Sequence, residues 1–315
     1  MKIIFCGSGW KTAAERVRIG LKDSNFEFRM QDMERPLIEQ VGDVDVIIPT
    51  MEKITRDIIQ AAKNLKLIQQ FGVGLEGVDR QAAKEHGIVM ANAAGANSIT
   101  VAESTIFLML ALSRRFEESQ KAFKNRILGH PIGSELFGKT LGIIGFGSSG
   151  QELAKRANCM GMKIYAIKRT PERGLIKKFH LEYLGDPENL PFVLREADYI
   201  SLHTPLTEMT RNLISETELK HMKPSAFLIN VSRGPVIDKQ ALLTALQQKW
   251  IAGVALDVYW EEPADPDDEL FQFDNVVRLP HIAGSSEESQ ARMTEIVVRN
   301  IIRISKGKKP INIQN

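Results

Sequence analysis

A short apolar segment followed at once by three regularly spaced glycines is the feature that most constrains the fold of this chain. Residues 141–144 (LGII) have the pattern of a buried β-strand, residues 145–150 read GFGSSG, and residues 151–157 have a helical pattern. A strand, a tight glycine turn and a helix in this order form the GxGxxG fingerprint of dinucleotide-binding domains. We therefore expect this segment to bind a dinucleotide, although glycines also form ordinary turns.

Each glycine of this segment has a physical reason to be there. Gly145 permits the tight turn, Gly147 lets the backbone approach a pyrophosphate, and Gly150 lets the helix pack close to the strand. The N-terminus of the helix then presents unpaired N–H groups and a positive dipole to the phosphates.

Short apolar runs alternate with helical patterns along the whole chain, which predicts βαβ units and mostly parallel sheets. The first block of strands lies within residues 2–91, and a second block of about seven strands lies within residues 140–279. A long helix is expected from near Asn97 to about Lys124, and a final helix from about Ser285 to Ser305. We place domain boundaries near residues 97 and 285.

Composition excludes several classes of protein. The chain has 315 residues with 41 basic and 39 acidic side chains, a net charge of +2 that leaves no basic footprint for nucleic acid. Its two cysteines lie far apart and outside any metal-binding spacing. The longest apolar run, residues 106–112, is too short to span a membrane, and the apolar start ends at Gly7, too early for a signal peptide. A cytoplasmic globular protein is expected.

The end of the second strand of the later block bears on cofactor choice. Sites specific for NAD usually have an acidic residue there, which hydrogen-bonds the ribose 2′-OH. Here the strand is followed by Lys168 and Arg169, which would attract a 2′-phosphate. The alternative interpretation is two solvated charges in a surface loop.

Three later segments place ionisable side chains after apolar strands, where open α/β sheets bind ligands. Arg233 can present two parallel donors to a carboxylate, His281 can donate a proton at neutral pH, and Glu262 can hold its ring. Taken singly, each has a structural explanation: a surface ion pair, a loop and a turn. Their joint occurrence after a dinucleotide loop favours a catalytic set.

Together these motifs closely resemble the D-isomer-specific 2-hydroxyacid dehydrogenase family over essentially the whole chain. The segments that carry the resemblance are 71–74 (FGVG) with 78–79 (VD), Asn97 with 101–103 (VAE), 145–150 (GFGSSG), 203–207 (HTPLT), 230–234 (NVSRG), 255–258 (ALDV) with 262–263 (EP), and 280–284 (PHIAG).

The resemblance implies two Rossmann-like, doubly wound α/β domains with parallel sheets. Residues 1–97 and 286–315 would form a flavodoxin-like substrate domain, and residues 98–285 the dinucleotide-binding domain, with the active site in the cleft. Members are typically homodimers built through the cofactor domain, with the long helix contributing.

The resemblance also assigns roles to residues. His281 would protonate the substrate carbonyl oxygen, Glu262 would hold the imidazole, and Arg233 would bind the substrate carboxylate. The substrate is also expected to contact Val73, Gly74 and Asn97. The expected cofactor contacts are Gly145, Phe146, Gly147, Ser148, Ser149, Gly150, Lys168, Arg169, Thr204, Val231, Ser232, Asp257 and Gly284. His203 would support the cleft, and no metal is required.

The expected substrate and cofactor follow from a comparison of this chain with two subgroups of the family. Phosphoglycerate dehydrogenases bind the substrate phosphate with arginines, where this chain has Gln70 and Pro49. The basic pair at 168–169 resembles glyoxylate and hydroxypyruvate reductases that use NADPH. We therefore expect a small 2-keto acid substrate and NADP in preference to NAD. Phosphoglycerate oxidation, formate or phosphite oxidation and a non-catalytic NAD(P)-sensing protein remain as alternatives.

Overall fold

The computed structural model describes residues 1–7 and 11–314. The chain divides into two compact units: Met1–Asn97 with Ser286–Asn315, and Ser98–Ser285. Each unit is built around one parallel β-sheet with helices on its faces. The predicted fold class, two α/β units with parallel sheets, is confirmed.

The first unit contains a five-stranded sheet in the order β2-β1-β3-β4-β5, the order found in flavodoxin. Its strands are β1 Lys2–Phe5, β2 Glu27–Met30, β3 Val46–Ile48, β4 Leu67–Gln69 and β5 Val89–Ala91. Its helices are α1 Lys11–Gly20, α2 Arg56–Ala61, α3 Arg80–Glu85 and, at the other end of the chain, α11 Glu287–Ser305.

Both faces of this sheet are covered, which explains why its strands are continuous apolar runs. Ile4 and Ile47 belong to the core on one face, and Ile3 and Ile48 belong to the core on the other. The second core also takes Met293, Val297 and Ile301 of α11. Helix α11, more than 280 residues after β1, therefore completes the core on this face of the sheet.

The second unit contains a seven-stranded parallel sheet in the order β12-β11-β10-β9-β6-β7-β8. Its strands are β6 Thr140–Ile144, β7 Lys163–Ile167, β8 Tyr183–Gly185, β9 Tyr199–Leu202, β10 Phe227–Asn230, β11 Gly253–Leu256 and β12 Val276–Arg278. Its helices are α4 Ser98–Ser113, α5 Phe116–Lys124, α6 Ser148–Cys159, α7 Gly174–Phe179, α8 Leu190–Glu196, α9 Glu216–His221 and α10 Lys239–Gln247.

This strand order is that of the dinucleotide-binding fold, and it reverses between β6 and β9. Ligands of open α/β sheets bind at such a switch point, outside the carboxyl ends of the strands. The glycine loop follows β6 at this point, and the loops after β9, β10, β11 and β12 leave the same edge.

One expected element is different in the structure. The single long helix predicted to reach Lys124 is two helices, because the chain turns at Arg115. Arg115 has φ = 53° and ψ = 52°, a left-handed conformation that ends α4 and begins α5. Leu112 and Phe116 keep the helical spacing of four residues across this turn, so the apolar pattern does not mark it.

Within residues 1–7 and 11–314, no helix is long and apolar enough to cross a membrane. The same residues contain no group of three or more His, Cys, Asp or Glu side chains arranged to hold a metal ion.

Candidate active site

The glycine loop has the geometry that its sequence predicts. Gly145 has φ = 99°, and a Cβ atom there would lie 2.7 Å from the carbonyl carbon of His203, so only glycine fits. A Cβ on Gly150 would lie 2.7 Å from the carbonyl oxygen of Gly145. A Cβ on Gly147, by contrast, would meet nothing within 4 Å. The loop therefore packs tightly on the protein at its ends and is open in the middle.

The open part of the loop leads into helix α6, whose N-cap is Gly147. The N–H of Gln151 donates to the Gly147 carbonyl at 2.9 Å, the first hydrogen bond of the helix. The N–H groups of Ser148, Ser149 and Gly150 precede it and have no acceptor within the helix. With the helix dipole they form a site suited to an anion.

Phe146 is placed differently from the expectation that it contacts the cofactor. Its side chain is 1% exposed, and its ring packs edge-on against Phe179 with centroids 5.4 Å apart. Its N–H donates to the carbonyl oxygen of Ile167 at 3.0 Å. The ring fixes the loop to the core, and neither ring nor N–H is available to a ligand.

The loop after β9 lies against the glycine loop and holds an unsatisfied hydroxyl. Oγ1 of Thr204 is buried and has no hydrogen-bond partner among the described residues. Its backbone nitrogen would be 2.9 Å from a Cβ on Gly145, which places Thr204 beside the turn. A buried hydroxyl without a partner is costly, so this atom points to a ligand that completes it.

His203 precedes Thr204 and connects the two loops. Its Nδ1 lies 3.1 Å from Oγ of Ser149, and its Nε2 lies 2.9 Å from Oγ of Ser201. Burial lowers the pKa of His203 to about 4, so the ring is neutral at physiological pH. A neutral, hydrogen-bonded ring agrees with a supporting role.

The two basic residues after β7 differ in their contacts. Lys168 has its Nζ 3.2 Å from Oε1 of Glu172, and the lysine side chain is 26% exposed. Arg169 is exposed and forms no ion pair within the described part of the chain. Among the described residues, Lys168 therefore has an acidic partner and Arg169 has none.

Arg233 stands on a turn that a buried asparagine organises. Oδ1 of Asn230 accepts hydrogen bonds from the N–H and the hydroxyl of Ser232, and its Nδ2 donates to the Arg233 carbonyl at 2.9 Å. Val231 and Ser232 thus form the turn itself. A Cβ on Gly234 would lie 2.0 Å from the carbonyl carbon of Tyr259, so this turn is pressed against the next loop.

Glu262 and His281 form a direct pair. Oε2 of Glu262 lies 2.7 Å from Nδ1 of His281, and the side chains are 21% and 37% exposed, respectively. Oε1 of Glu262 accepts the N–H of Tyr259 at 3.0 Å. Partial burial opposes ionisation of Glu262, but the hydrogen bond from His281 and the charges of His281 and Arg233 outweigh it and lower its pKa. The carboxylate is therefore ionised, and Nε2 of His281 has no partner among the described residues.

Asp257 holds the loop that carries His281. Its Oδ1 and Oδ2 accept the N–H groups of Ile282 and Ala283 at 2.7 and 2.9 Å. Burial raises its pKa despite these two bonds. His281 itself has φ = 55°, an uncommon conformation for a residue with a side chain. The expected contact of Asp257 with a cofactor therefore has to use the remaining lone pairs of its oxygens.

Two further contacts of this loop were missed at the level of sequence. The hydroxyl of Tyr259 donates to the carbonyl of Leu279 at 2.7 Å, two residues before His281. The carbonyl of Ala283, just before Gly284, accepts the hydroxyl of Ser104 at 3.0 Å. Nothing in the sequence marked either contact, because each is a hydrogen bond to a backbone carbonyl.

In the first unit, the segment after β4 presents unpaired backbone donors. The N–H groups of Val73 and Gly74 have no acceptor among the described residues, and the carbonyl of Val73 accepts Nδ2 of Asn92 at 2.7 Å. Gln70 is buried, and its Nε2 donates to the carbonyl of Thr50 at 2.8 Å. Asn97 is half-buried at the end of this part of the unit. The loop has the donors that a carboxylate needs.

Comparison with known proteins places this arrangement in a family. Residues 106–283 match the family model described as D-isomer specific 2-hydroxyacid dehydrogenase, NAD binding domain. A glyoxylate reductase of Thermococcus litoralis is 42% identical over 290 residues, which cover 89% of this chain and 86% of the relative. The chain belongs to the D-isomer-specific 2-hydroxyacid dehydrogenase family.

Two solved structures are similar to nearly the whole chain. An NADPH-dependent glyoxylate/hydroxypyruvate reductase of Sinorhizobium meliloti, in complex with NADP and malonate, has a TM-score of 0.87 and 28% identity, with 99% of this chain and 96% of that chain covered. A D-lactate dehydrogenase of Aquifex aeolicus, in complex with NAD and lactic acid, has a TM-score of 0.86 and 27% identity, with 97% and 96% covered.

Membership confirms that this dehydrogenase uses a nicotinamide dinucleotide to interconvert a 2-keto acid and a 2-hydroxy acid. The residues present fit that cofactor on three observations. The cradle at Gly147 is open, the hydroxyl of Thr204 lacks a partner among the described residues, and the unpaired N–H groups at the start of α6 can receive a pyrophosphate.

Proposed function

We propose that this dehydrogenase reduces a small 2-keto acid of the glyoxylate and hydroxypyruvate class, with NADPH as its preferred cofactor. One observation carries the proposal: an ionised Glu262, on the loop next to the turn that bears Arg233, holds His281 by Nδ1. The carboxylate receptor, the ionised partner and the proton donor thus follow three consecutive strands of the sheet, β10, β11 and β12.

His281 acts as the proton donor in the reductive direction. Bound NADPH would supply the hydride for C2 of the substrate, and Nε2 of His281 gives the proton that the carbonyl oxygen receives. Glu262 fixes the ring through Nδ1, which leaves Nε2 to act on the substrate. General acid catalysis of this kind typically contributes about 10²–10⁴ in rate.

Arg233 binds the carboxylate of the substrate and polarises the carbonyl group. The turn organised by Asn230 supports this role, because it holds the arginine at a fixed strand end. In the first unit, the N–H groups of Val73 and Gly74 are donors suited to a carboxylate, and Asn97 contributes to substrate binding. Backbone donors and a guanidinium are suited to an anionic substrate.

Asp257 positions the nicotinamide end of the cofactor. Its two oxygens each accept one backbone N–H and keep a lone pair for the carboxamide. The hydroxyl of Thr204 completes its hydrogen bonding with the cofactor. Val231 and Ser232, after β10, and Gly284, after β12, also contact the cofactor. The N–H groups of Ser148, Ser149 and Gly150 receive the pyrophosphate beside the open position at Gly147, and Gly145 forms the turn that places them.

The substrate preference rests on the absence of charge where a phosphate would bind. Gln70 is buried and bonded to the carbonyl of Thr50, and Pro49 is also buried. Neither supplies the positive charge that a phosphoglycerate needs. The glyoxylate reductase of Thermococcus litoralis supports the smaller substrate.

The cofactor preference rests on Arg169. Its guanidinium is exposed at the end of β7, where an acidic residue would favour NAD, and it forms no ion pair within residues 1–7 and 11–314. It can therefore pair with a ribose 2′-phosphate. The structure of the Sinorhizobium meliloti enzyme with NADP supports the same choice.

A homodimer built through the second unit completes the proposal. Large apolar side chains are exposed on α4, α5 and the segment that follows: Phe107, Leu110, Phe116, Phe123, Ile127, Leu128, Ile132 and Phe137. Exposed apolar surface of this extent is typical of interfaces. Sedimentation equilibrium of the full chain tests it, with twice the chain mass expected and a monomer at micromolar concentration contradicting it.

Turnover measured with a panel of 2-keto acids, each with NADH and NADPH, tests the function. We expect the highest kcat/KM for glyoxylate or hydroxypyruvate with NADPH. Oxidation of 3-phosphoglycerate, formate or phosphite as the best reaction would assign another chemistry. Tight cofactor binding without turnover of any acid would favour a sensing protein.

A further inference from the structure

His203 lies between two serines that belong to different elements of the second unit. Nε2 lies 2.9 Å from Oγ of Ser201 on β9, and Nδ1 lies 3.1 Å from Oγ of Ser149 in the first turn of α6. Burial holds the pKa of this histidine at about 4, so its ring is neutral near pH 7. A neutral imidazole has one N–H donor and one bare acceptor nitrogen, so the two serines must take opposite roles.

The surroundings of Ser201 decide which nitrogen carries the proton. Ser201 is 0% exposed, and among the described residues its hydroxyl has no hydrogen-bond partner except His203. If Nε2 carried the proton, the hydroxyl of Ser201 would be a buried donor with no acceptor, which is strongly unfavourable. If Ser201 donates to Nε2 instead, its proton is satisfied and Nδ1 carries the ring proton.

This tautomer fixes the role of Ser149. Nδ1–H then donates to Oγ of Ser149, which uses a lone pair of the hydroxyl and leaves its proton unused. Within residues 1–7 and 11–314, that proton has no acceptor. Ser149 lies at the start of α6, beside backbone N–H groups that also lack intrahelical acceptors.

We propose that His203 is a positioning residue that holds the hydroxyl of Ser149 with its proton available to a phosphate oxygen of the dinucleotide. The inference rests on the proposed placement of the pyrophosphate at the start of α6. Ser201 sets the tautomer of the ring, the ring orients Ser149, and Ser149 adds one side-chain donor to the backbone donors. His203 itself contacts no reacting atom in this arrangement and exchanges no proton with substrate.

Cofactor dissociation constants of the full chain, measured by NADPH fluorescence without substrate, test the coupling. Ser149→Ala should raise the Kd about 10-fold, since a hydrogen bond to a charged group is lost. His203→Leu should raise it about 2- to 10-fold, because the hydroxyl loses its orientation. The double variant should bind no more weakly than Ser149→Ala alone, since His203 acts through Ser149.

Two further variants complete this experiment. His203→Asn keeps a side-chain N–H close to the position of Nδ1 and should bind NADPH more tightly than His203→Leu. Ser225→Ala, a substitution at an exposed serine before β10, is the matched control and should leave the Kd unchanged. Additive losses in the double variant, or an unchanged Kd in Ser149→Ala, would overturn the inference.

Nitrogen NMR of the imidazole rings gives a readout that does not depend on binding. The resonances of His203, assigned by their absence from His203→Asn, should show a protonated Nδ1 and a bare Nε2 at neutral pH, with and without NADPH. In Ser201→Ala this tautomer should no longer predominate. A protonated Nε2 or an imidazolium in the native chain would contradict the assignment. If the native chain turns over 2-keto acids but shows either result, this inference fails while the proposed function stands.

Discussion

Oε2 of Glu262 lies 2.7 Å from Nδ1 of His281, and the same carboxylate accepts the N–H of Tyr259 through its other oxygen. Both oxygens of Glu262 are therefore engaged, one by the ring and one by its own loop. The lowered pKa of Glu262 keeps it ionised at and below neutral pH. A fixed anion on one ring nitrogen leaves the other nitrogen of His281 as the reactive one.

Replacement of this anion should slow reduction. Glu262→Gln keeps a side chain of similar size but removes the negative charge beside Nδ1 of His281. The kcat for the keto acid should fall by about 10- to 150-fold, with some activity kept, because the proton donor loses a charge-assisted hydrogen bond. Glu261→Gln, at the exposed neighbouring residue, is the control and should keep the native kcat. A native kcat in Glu262→Gln would remove Glu262 from this role.

Loss of the guanidinium at position 233 should affect both binding and rate. Arg233→Ala should lower kcat/KM for the keto acid by about 10²–10³-fold and raise KM, because the substrate carboxylate loses its partner. Arg233→Lys keeps the charge but loses the two-donor fork, so its kcat/KM should lie between those of the native enzyme and of Arg233→Ala. Steady-state kinetics at saturating NADPH measure both variants. A native KM in Arg233→Ala would show that the carboxylate binds elsewhere.

Discrimination between the cofactors should depend on Arg169. A charge-assisted bond to the 2′-phosphate corresponds to about a 10- to 150-fold preference for NADPH, and Arg169→Ala should abolish most of it. Lys163→Ala, at the opposite end of β7, is the control. The measured quantity is the ratio of kcat/KM for NADPH and NADH. Equal values in the native enzyme, or a ratio that Arg169→Ala leaves intact, would refute the assignment.

The contact between the Arg233 turn and the Tyr259 loop should be visible in stability. Gly234→Ala places a methyl group 2.0 Å from a backbone carbon, so one of the two loops has to move. We expect a loss of about 1–3 kcal/mol in the free energy of unfolding. Gly174→Ala, where a Cβ meets nothing within 4 Å, is the control and should be neutral or stabilising. Urea denaturation compares the two, and equal stability would contradict this description of the contact.

Much of the fold could be predicted because its signals are local. Each strand is an apolar run, and the roles of Gly145 and Gly150 follow from the motif in which they stand. The turn at Arg115 could not be predicted, because the apolar pattern continues through it. The side chain of Phe146 lies within the motif yet packs on Phe179, a contact between residues 33 positions apart that no local pattern specifies.

In the candidate site, too, some residues could be predicted from the sequence and others could not. Arg233, Glu262 and His281 were predicted by residue type and position after strands, and the structure shows the pair of Glu262 with His281. The residues that hold them were not predicted. Asn230 and Tyr259 act through hydrogen bonds to backbone atoms, and such bonds leave no spacing in the sequence from which they could be recognised.

The account depends most directly on the proton that His281 supplies. The decisive measurement is the rate of NADPH oxidation with saturating glyoxylate at neutral pH, for the native chain and for His281→Asn. We predict clear turnover by the native chain and a kcat lower by about 10²–10⁴-fold in the variant, with NADPH still bound at its native Kd. Near-native turnover by His281→Asn, or none by the native chain, would contradict the proposed function.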